Sequence, residues 1–149
     1  MDVITAPKGV RDILPDESWK WARVFDVVGV VARTFGYSEV HLPLFEHTEL
    51  FSRGIGEATD VVEKEMYTFT DKGDRSITLR PEATASMVRS YLEHRMDKLA
   101  QPVKLWCVGP MFRYERPQKG RFRQFWQVDF ESIGAASPYA DVETIALAL

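Results

Sequence analysis

The sequence predicts a mixed α+β domain in which helices flank a largely antiparallel sheet. Three patterns lead to this fold class: a helical apolar repeat after Pro15, a hairpin pattern over residues 66–79, and a second strand pair around Gly120. The 149 residues, 45% of them hydrophobic, are enough to bury one core. No internal repeat or low-complexity tract interrupts the chain, so we expect residues 1–149 to form one unit.

The first half should contain one long helix, one strand and one short helix. The long helix is expected to begin at Pro15, which suits a first turn, and to end at Gly36 as a C-terminal cap. Its predicted inner side chains recur at helical spacing: Trp21, Val24, Phe25, Val28, Val31, Ala32 and Phe35. Residues 37–42 alternate as a strand. Pro43 then ends that strand and indicates a sheet edge or a subunit contact. A short helix is expected over residues 46–51.

The second half should contain five strands and two further helices. Residues 66–70 and 76–79 form the first predicted hairpin, and a helix is expected to start at Arg80-Pro81-Glu82. The predicted buried face of this helix consists of Met87, Val88, Tyr91 and Leu92. Further strands are predicted at 103–108, 111–116 and 125–133, with a break at Gly109-Pro110. A last helix should begin with Asp141 as its N-cap.

The composition excludes several classes of protein. The net charge is −3, from 22 acidic and 19 basic residues, so no basic field covers the whole chain. The lone cysteine, Cys107, forms no internal disulfide and is expected to be a buried thiol. The three histidines show no metal-ligand spacing, so no metal site is predicted. Neither a signal peptide nor a membrane-spanning apolar stretch is visible, which leads us to expect a cytoplasmic protein.

The last predicted hairpin carries an unusual set of polar side chains. A loop centred near Gly120 would place Arg113 opposite Gln127 and collect six side chains on one face: Arg113, Glu115, Phe125, Gln127, Asp129 and Glu131. An ordinary solvated sheet face would explain this pattern equally well. However, an aromatic residue stands among the charges, and positions 113–123 hold five basic side chains and one acidic one. This local excess of positive charge suits a polyphosphate or the end of a nucleic acid.

Several segments resemble known motifs. Residues 112–125 resemble motif 2 of the class II aminoacyl-tRNA synthetases, and within them Arg-Pro-Gln-Lys-Gly-Arg-Phe-Arg-Gln-Phe resembles the histidyl family in particular. The Thr-Leu-Arg-Pro-Glu-Ala-Thr segment at 78–84 and the segments at 8–12 and 60–67 are similar to the same family. Residues 36–43 resemble class II motif 1. Together these likenesses cover nearly the whole chain.

The resemblance implies a reaction and a set of residues. The family joins histidine to ATP, with Mg²⁺, as histidyl-adenylate and then esterifies tRNA(His). The resemblance implies that Arg113 is the catalytic residue and binds both the α-phosphate and the substrate carboxylate, for which a planar guanidinium is suited. The implied ATP-binding residues are Arg113, Glu115, Arg121, Arg123 and Phe125, the last stacked on adenine. The implied histidine-binding residues are Glu82, Thr84, Gln127 and Glu131.

The resemblance has further consequences for organisation. It implies a homodimer with Pro43 at the interface, and it implies that Arg80-Pro81 brace the site without touching substrate. Ala83 stands where the family often has glycine, which would narrow the amino-acid pocket slightly. We expect the chain to be a partial catalytic domain that includes motifs 1 and 2 and is truncated before motif 3. Motif 3 and the anticodon-binding domain would then lie outside it.

Two other functions remain open on the sequence. One is a non-catalytic relative that serves as the regulatory subunit of ATP phosphoribosyltransferase in histidine biosynthesis; the retained Arg113, Glu115, Arg121 and Arg123 argue against it. The other is a plain nucleic-acid-binding module that uses the basic loop, which the acidic total disfavours. Histidine-dependent ATP–pyrophosphate exchange separates the synthetase from the regulatory subunit. Salt-sensitive tRNA binding without ATP affinity would indicate the module.

Overall fold

The computed structural model describes residues 3–55, 65–116 and 120–149. The described residues form two three-stranded sheets with helices packed against them. In chain order, the elements are α1 (Pro15–Thr34), β1 (Ser38–Glu39), β2 (Phe45–His47), α2 (Thr48–Ile55), β3 (Tyr67–Thr70), β4 (Ser76–Leu79), α3 (Thr84–Glu93), a 3₁₀ turn (Met96–Lys98), β5 (Val103–Phe112), β6 (Gln124–Ile133) and α4 (Pro138–Ala148). Within these residues, no helix is both long and apolar enough to cross a bilayer.

The first sheet has the order β1-β5-β6 and carries the longest strands. β5 and β6 pair antiparallel along their full lengths, and the short β1 runs parallel to β5. The predicted break at Gly109-Pro110 is wrong, because β5 continues through it to Phe112. β1 pairs only with Leu105 and Trp106, so Pro110 lies beyond the reach of that neighbour. A proline lacks an N–H and is tolerated where one side of a strand has no partner.

The second sheet has the order β2-β4-β3 and is antiparallel throughout. It contains the hairpin predicted over 66–79, which is confirmed. In its turn, one carboxylate oxygen of Asp71 accepts hydrogen bonds from the backbone N–H groups of Gly73 and Arg75, at 2.8 and 3.0 Å. The strand predicted over 37–42 is only two residues long. Pro43 is exposed and lies in the segment that connects β1 of the first sheet to β2 of the second, rather than at the end of a long strand.

The helix boundaries are confirmed at the start of the chain and wrong later. α1 begins at Pro15, and Gly36 follows its end with a φ of +78°, a backbone conformation that suits glycine. α3 begins at Thr84, four residues after the predicted start. α4 begins at Pro138 and its N-cap is Ser137, whose hydroxyl accepts a hydrogen bond from Tyr139 N, so the Asp141 cap is wrong.

The β5–β6 sheet is covered on both faces. One face packs against α1 and α4 around Trp106 and Phe130. On the opposite face, β5 contributes apolar side chains that pack against Met87 and Tyr91 of α3. Full burial of a side chain such as Met87 stabilises the fold by about 2 kcal/mol. The predicted division of the hairpin into one apolar face and one charged face is therefore wrong in part. The face toward α3, predicted to be charged, is apolar along β5 and polar along β6.

Candidate active site

The register of the β5–β6 hairpin sets the geometry of the site. Met111 pairs with Phe125, Gly109 with Gln127, Cys107 with Asp129 and Leu105 with Glu131. Just past the end of β5, Arg113 N donates to Arg123 O at 3.0 Å. Arg113 therefore lies opposite Arg123, and the predicted pairing with Gln127 is wrong by four residues because the connection is centred before Gly120. An even offset leaves every side chain on its predicted face.

Arg113 is held by two contacts at the edge of this face. Its Nε donates to the carbonyl oxygen of Pro81 at 2.9 Å, and its guanidinium carbon lies 5.2 Å from the centre of the Phe125 ring. Within the described residues, neither terminal nitrogen of Arg113 makes a hydrogen bond or ion pair. The guanidinium is thus oriented by one nitrogen and presents the other two as a fork, a geometry that matches paired oxygens of a phosphate or carboxylate.

Three carboxylates lie near one another on the polar half of the face. Asp129 and Glu131 project from β6, and Glu82 precedes α3. Burial and, after it, the negative charges of Glu131 and Glu82 together raise the pKa of Asp129 to about 6, against the opposing effect of the Phe130 backbone N–H. Like charges in a partly buried space favour a bound cation. The sequence placed Asp129 on this face without a role; its position between Gln127 and Glu131 was the available signal.

Glu82 also caps the start of α3, in addition to its place in this cluster. Its two carboxylate oxygens accept hydrogen bonds from Thr84 N at 2.6 Å and Ala85 N at 3.0 Å. These are N–H groups that the first turn of α3 leaves without helical partners, so Glu82 fixes the start of the helix. Thr84 is the first residue of α3 and is exposed. Among the residues that the structure describes, the buried Oε1 atom of Gln127 has no hydrogen-bond partner, which leaves an acceptor for a ligand.

The residues of the basic loop are less closely gathered around Arg113. Arg121 forms an ion pair with Glu115, with 3.5 Å between Nη1 and Oε2. Arg123 lies 4.0 Å above the Tyr114 ring and donates to the carbonyl oxygens of Glu115 and Lys8, both at 3.3 Å. The Arg123 side chain is thus engaged with the backbone and an aromatic ring, and its assignment to the phosphates stays a prediction.

The N-terminal segment anchors the end of this loop. Arg123 N donates to Gly9 O at 2.7 Å, and Gly9 has a φ of +92°. A Cβ at Gly9 would lie 2.7 Å from Cγ of Arg123, so glycine is needed for the close approach. No local pattern predicts that residues 8–9 lie against the loop, because the two segments are more than a hundred positions apart in the chain.

Two residues near the site, Cys107 and Arg80, are buried. Burial together with the negative charge of Asp129 raises the pKa of the Cys107 thiol to about 11, against the opposing effect of Arg80. The expectation of a buried core thiol is confirmed, because such a group is not a thiolate at neutral pH. Arg80 is also buried, with 3% of its surface exposed, and binds backbone carbonyls only. These hydrogen bonds join neighbouring segments, and the implied role of Arg80 in bracing the site stays a prediction.

Comparisons with known proteins point to one family. A family model described as histidyl-tRNA synthetase matches residues 9–149. The chain is 59% identical over 145 residues to a histidine–tRNA ligase of Desulforamulus reducens, covering 97% of the chain and 35% of the relative. It is 58% identical over 149 residues to a histidine–tRNA ligase of Halothermothrix orenii, covering 100% of the chain and 35% of the relative. The chain thus spans about a third of the length of the curated relatives it matches.

Solved structures give the same result for the fold. The apo histidyl-tRNA synthetase of Staphylococcus aureus superposes with a TM-score of 0.83 at 45% identity, over 98% of this chain and 33% of that one. An ATP phosphoribosyltransferase regulatory subunit/histidyl-tRNA synthetase from Bacillus halodurans has the same TM-score at 24% identity, over 99% of this chain and 37% of that one, a likeness of fold alone. The expected class II synthetase-like α+β fold is confirmed. The chain belongs to the histidyl-tRNA synthetase family.

Proposed function

We propose that this chain is the N-terminal part of the catalytic domain of a histidine–tRNA ligase. In this proposal it contains motifs 1 and 2, and motif 3 and the anticodon-binding domain lie outside it. One observation carries the proposal: Arg113 presents two nitrogens that no described residue pairs with, at one end of a sheet face whose other end holds the carboxylates of Glu82, Asp129 and Glu131. An amino acid and a nucleotide phosphate carry the complementary charges.

The chemistry needs positioning and charge stabilisation rather than a nucleophilic side chain. The carboxylate oxygen of histidine attacks the α-phosphorus of ATP, the bond to the bridging oxygen breaks, and pyrophosphate leaves with that electron pair. The negative charge that develops on the α-phosphate is met by the terminal nitrogens of Arg113, whose Nε is already held by Pro81 O. A pre-oriented donor in a partly dry site lowers the barrier because it does not need to reorganise.

The acidic half of the site would bind histidine. Its α-ammonium group suits Glu82 and the buried, unpartnered Oε1 of Gln127, with Thr84 at the helix start close in sequence. The imidazole suits Glu131, whose carboxylate can accept a hydrogen bond from a ring N–H. A cation at this position would also relieve the repulsion that raises the pKa of Asp129. The same cluster would disfavour an acidic amino acid.

The nucleotide half would bind ATP through an aromatic surface and cationic side chains. Phe125 is half-buried beside Arg113 and can stack on adenine, while Glu115, Arg121 and Arg123 border the loop above it. In the described residues, no three Asp, Glu, His or Cys side chains are placed so that together they could hold a metal ion. Mg²⁺ would therefore enter as part of the MgATP substrate, held chiefly by phosphate oxygens and water, as Mg²⁺ commonly is in ATP-dependent enzymes.

The proposed reaction implies partners beyond the small molecules. tRNA(His) would accept the histidyl group, and the enzyme would act in the cytoplasm, where tRNA is charged. The motif 1 likeness of residues 36–43 supports a homodimer with the exposed Pro43 at its interface.

Removal of Arg113 tests the proposal directly. In the full-length protein, Arg113→Ala should reduce histidine-dependent ATP–pyrophosphate exchange by about 1,000-fold, because the main donor to the developing charge is lost. Arg23→Ala, which removes an exposed arginine of α1, is the matched control and should retain full exchange. Exchange within tenfold of normal in Arg113→Ala would contradict the proposal.

The same measurement distinguishes the regulatory subunit. If the unmodified full-length protein binds histidine but supports no histidine-dependent exchange, the non-catalytic role is favoured. The open guanidinium fork of Arg113 argues for catalysis, since a protein that only senses histidine has no use for an α-phosphate donor.

A further inference from the structure

The buried Arg80 joins the two sheets of the protein. Its backbone N donates to Leu44 O, next to the second sheet, and its backbone carbonyl accepts from Phe112 N at the end of β5, both at 3.0 Å. Its side chain contacts the same two segments: Nε donates to Pro110 O at 3.0 Å, and Nη1 donates to Leu42 O at 3.1 Å. One residue thus ties the segment after β1, the end of β4 and the end of β5 into a single arrangement.

The charge of Arg80 is unusual for so buried a group. Among the described residues, no carboxylate lies within ion-pair distance of its guanidinium, and only carbonyl oxygens accept from it. Burial accordingly lowers the pKa of Arg80 from its ordinary value. A buried cation without a counter-ion is costly, and a neutral side chain would fill the space at lower cost. The planar set of donors is therefore the property that distinguishes arginine here.

The next residue connects Arg80 to the chemistry. Pro81 is fully buried, and its carbonyl oxygen accepts the hydrogen bond from Arg113 Nε at 2.9 Å. Pro81 follows Arg80 directly and its ring fixes φ between the two residues, so a movement of the Arg80 backbone would carry this acceptor with it. Arg113 also follows directly after Phe112, whose N–H is bonded to Arg80 O. Arg80 therefore fixes Arg113 at two points, its backbone and its Nε.

The sequence of β5 makes room for this arrangement. A Cβ at Gly109 would lie 2.1 Å from Nη2 of Arg80, closer than any real contact. The glycine in the middle of a paired strand is thus explained by the guanidinium that crosses it. Pro110, the following residue, supplies the carbonyl that accepts from Nε.

We propose that Arg80 is a positioning residue for adenylation, which holds the Pro81 carbonyl and thereby the guanidinium of Arg113 without contacting substrate. This inference rests on the proposed function of Arg113. It predicts that changes at Arg80 reduce the rate of the chemical step and leave histidine binding nearly unchanged, because the carboxylates that bind histidine do not contact Arg80 in the described structure.

The decisive experiment is a double-mutant cycle in the full-length enzyme. Arg80→Lys keeps the charge, but its single ammonium cannot reach the carbonyls on both sides, and a misplacement of about 1 Å at a reacting group costs about 100-fold in rate. We expect kcat for histidine-dependent exchange to fall by about 30-fold to 100-fold, with KM for histidine within about twofold. In an Arg113→Lys background, the same change should have less than about a threefold effect, because the group that it positions is gone.

A second variant reaches the same point without altering either arginine. Gly109→Ala should displace the Arg80 guanidinium and cause the same loss in kcat with unchanged KM for histidine. Gly29→Ala is the matched control, since its Cβ would meet only the end of the Arg33 side chain at 3.3 Å and ordinary contacts beyond. This control should retain normal kcat. Near-ultraviolet circular dichroism would establish that each variant keeps its native packing.

The outcomes separate the inference from the function on which it rests. Normal kcat in folded Arg80→Lys or Gly109→Ala would overturn the inference alone, as would equal losses in the Arg113 and Arg113→Lys backgrounds. Absence of histidine-dependent exchange in the unmodified enzyme would overturn the proposed function and the inference together.

Discussion

The two halves of the proposed site are built by opposite means. On one side, the single cation Arg113 is oriented by a neutral carbonyl and an aromatic ring. On the other, Glu82, Asp129 and Glu131 are close enough to raise the pKa of Asp129, and in the described structure no lysine or arginine pairs with any of the three. In the cationic half, the guanidinium is therefore held in one orientation. In the acidic half, no described lysine or arginine neutralises the negative charge.

The difference indicates what each half is built to do. A guanidinium that must meet a developing charge benefits from rigid placement, because rate depends on geometry at the moment of reaction. A pocket that must retain an amino acid benefits from excess negative charge, because the ligand then supplies the missing counter-ion. The protein would accept a loss of stability on the acidic side in exchange for binding, as functional sites often do.

The largest effect on substrate binding should come from the acidic half. Glu82→Gln should raise KM for histidine by about 30-fold, which corresponds to about 2 kcal/mol, because a charged hydrogen-bond acceptor is lost. The amide oxygen of glutamine can still accept a hydrogen bond from the start of α3, so the helix should remain. Steady-state exchange kinetics with varied histidine would measure the change.

Glu93→Gln is the control for this substitution. It removes an exposed carboxylate at the other end of α3, which pairs with Arg89. KM for histidine should stay normal in this variant. If both variants raised KM equally, the general negative charge of α3 rather than the site would be responsible, and the comparison of the two halves would fail.

An intermediate effect should appear in stability rather than in binding. The pKa of Asp129 is raised to about 6 from an ordinary value of 3.8, so the folded state binds its proton more tightly than the unfolded state. The resulting destabilisation is nearly absent below pH 4, grows between pH 4 and pH 6, and is complete above pH 6. Asp129→Asn should therefore raise the free energy of unfolding by about 1–2 kcal/mol at pH 8 and by little at pH 4.

Denaturant unfolding followed by tryptophan fluorescence at these two pH values measures this effect. Asp97→Asn provides a control of opposite sign, since a hydrogen bond from Arg95 lowers the pKa of Asp97. That variant should be slightly less stable at pH 8. A gain in stability for Asp129→Asn that was as large at pH 4 as at pH 8 would show that the carboxylate is not strained by its neighbours.

The smallest effect should come from the aromatic side of the cationic half. Phe125→Leu keeps an apolar side chain against the core but removes the ring that lies 5.2 Å from the Arg113 guanidinium. Loss of a cation–π contact and of an adenine-stacking surface should raise KM for ATP by about fivefold, equal to about 1 kcal/mol, with KM for histidine unchanged. A change in KM for histidine instead would show that the two halves are not independent.

Much of the fold could be predicted from the sequence because neighbouring residues alone determine several helix ends, turns and strand faces. The start of α1 at Pro15, the glycine at its end and the hairpin at 66–79 depend on neighbouring residues only. The shared face of Phe125, Gln127 and Glu131 follows from the two-residue period of a strand, which survived a four-residue error in register.

The failures arose where distant residues decide the local structure. Gly109-Pro110 looks like a break until the guanidinium of Arg80 is placed across it. Arg123 looks like a free loop cation until Lys8 and Gly9 are brought beside it. The start of α3 at Thr84 depends on a carboxylate that caps from outside the helix, a use of Glu82 that spacing alone does not reveal.

The contact between Gly9 and Arg123 joins the first residues of the chain to the loop that leads into β6. Because Gly9 O accepts from Arg123 N one residue before β6 begins, a side chain at position 9 would displace Arg123 and, in the proposed function, disturb the loop that borders ATP. Natural variation at positions 8 and 9 is therefore best interpreted alongside variation at residues 121–123, because the two segments touch.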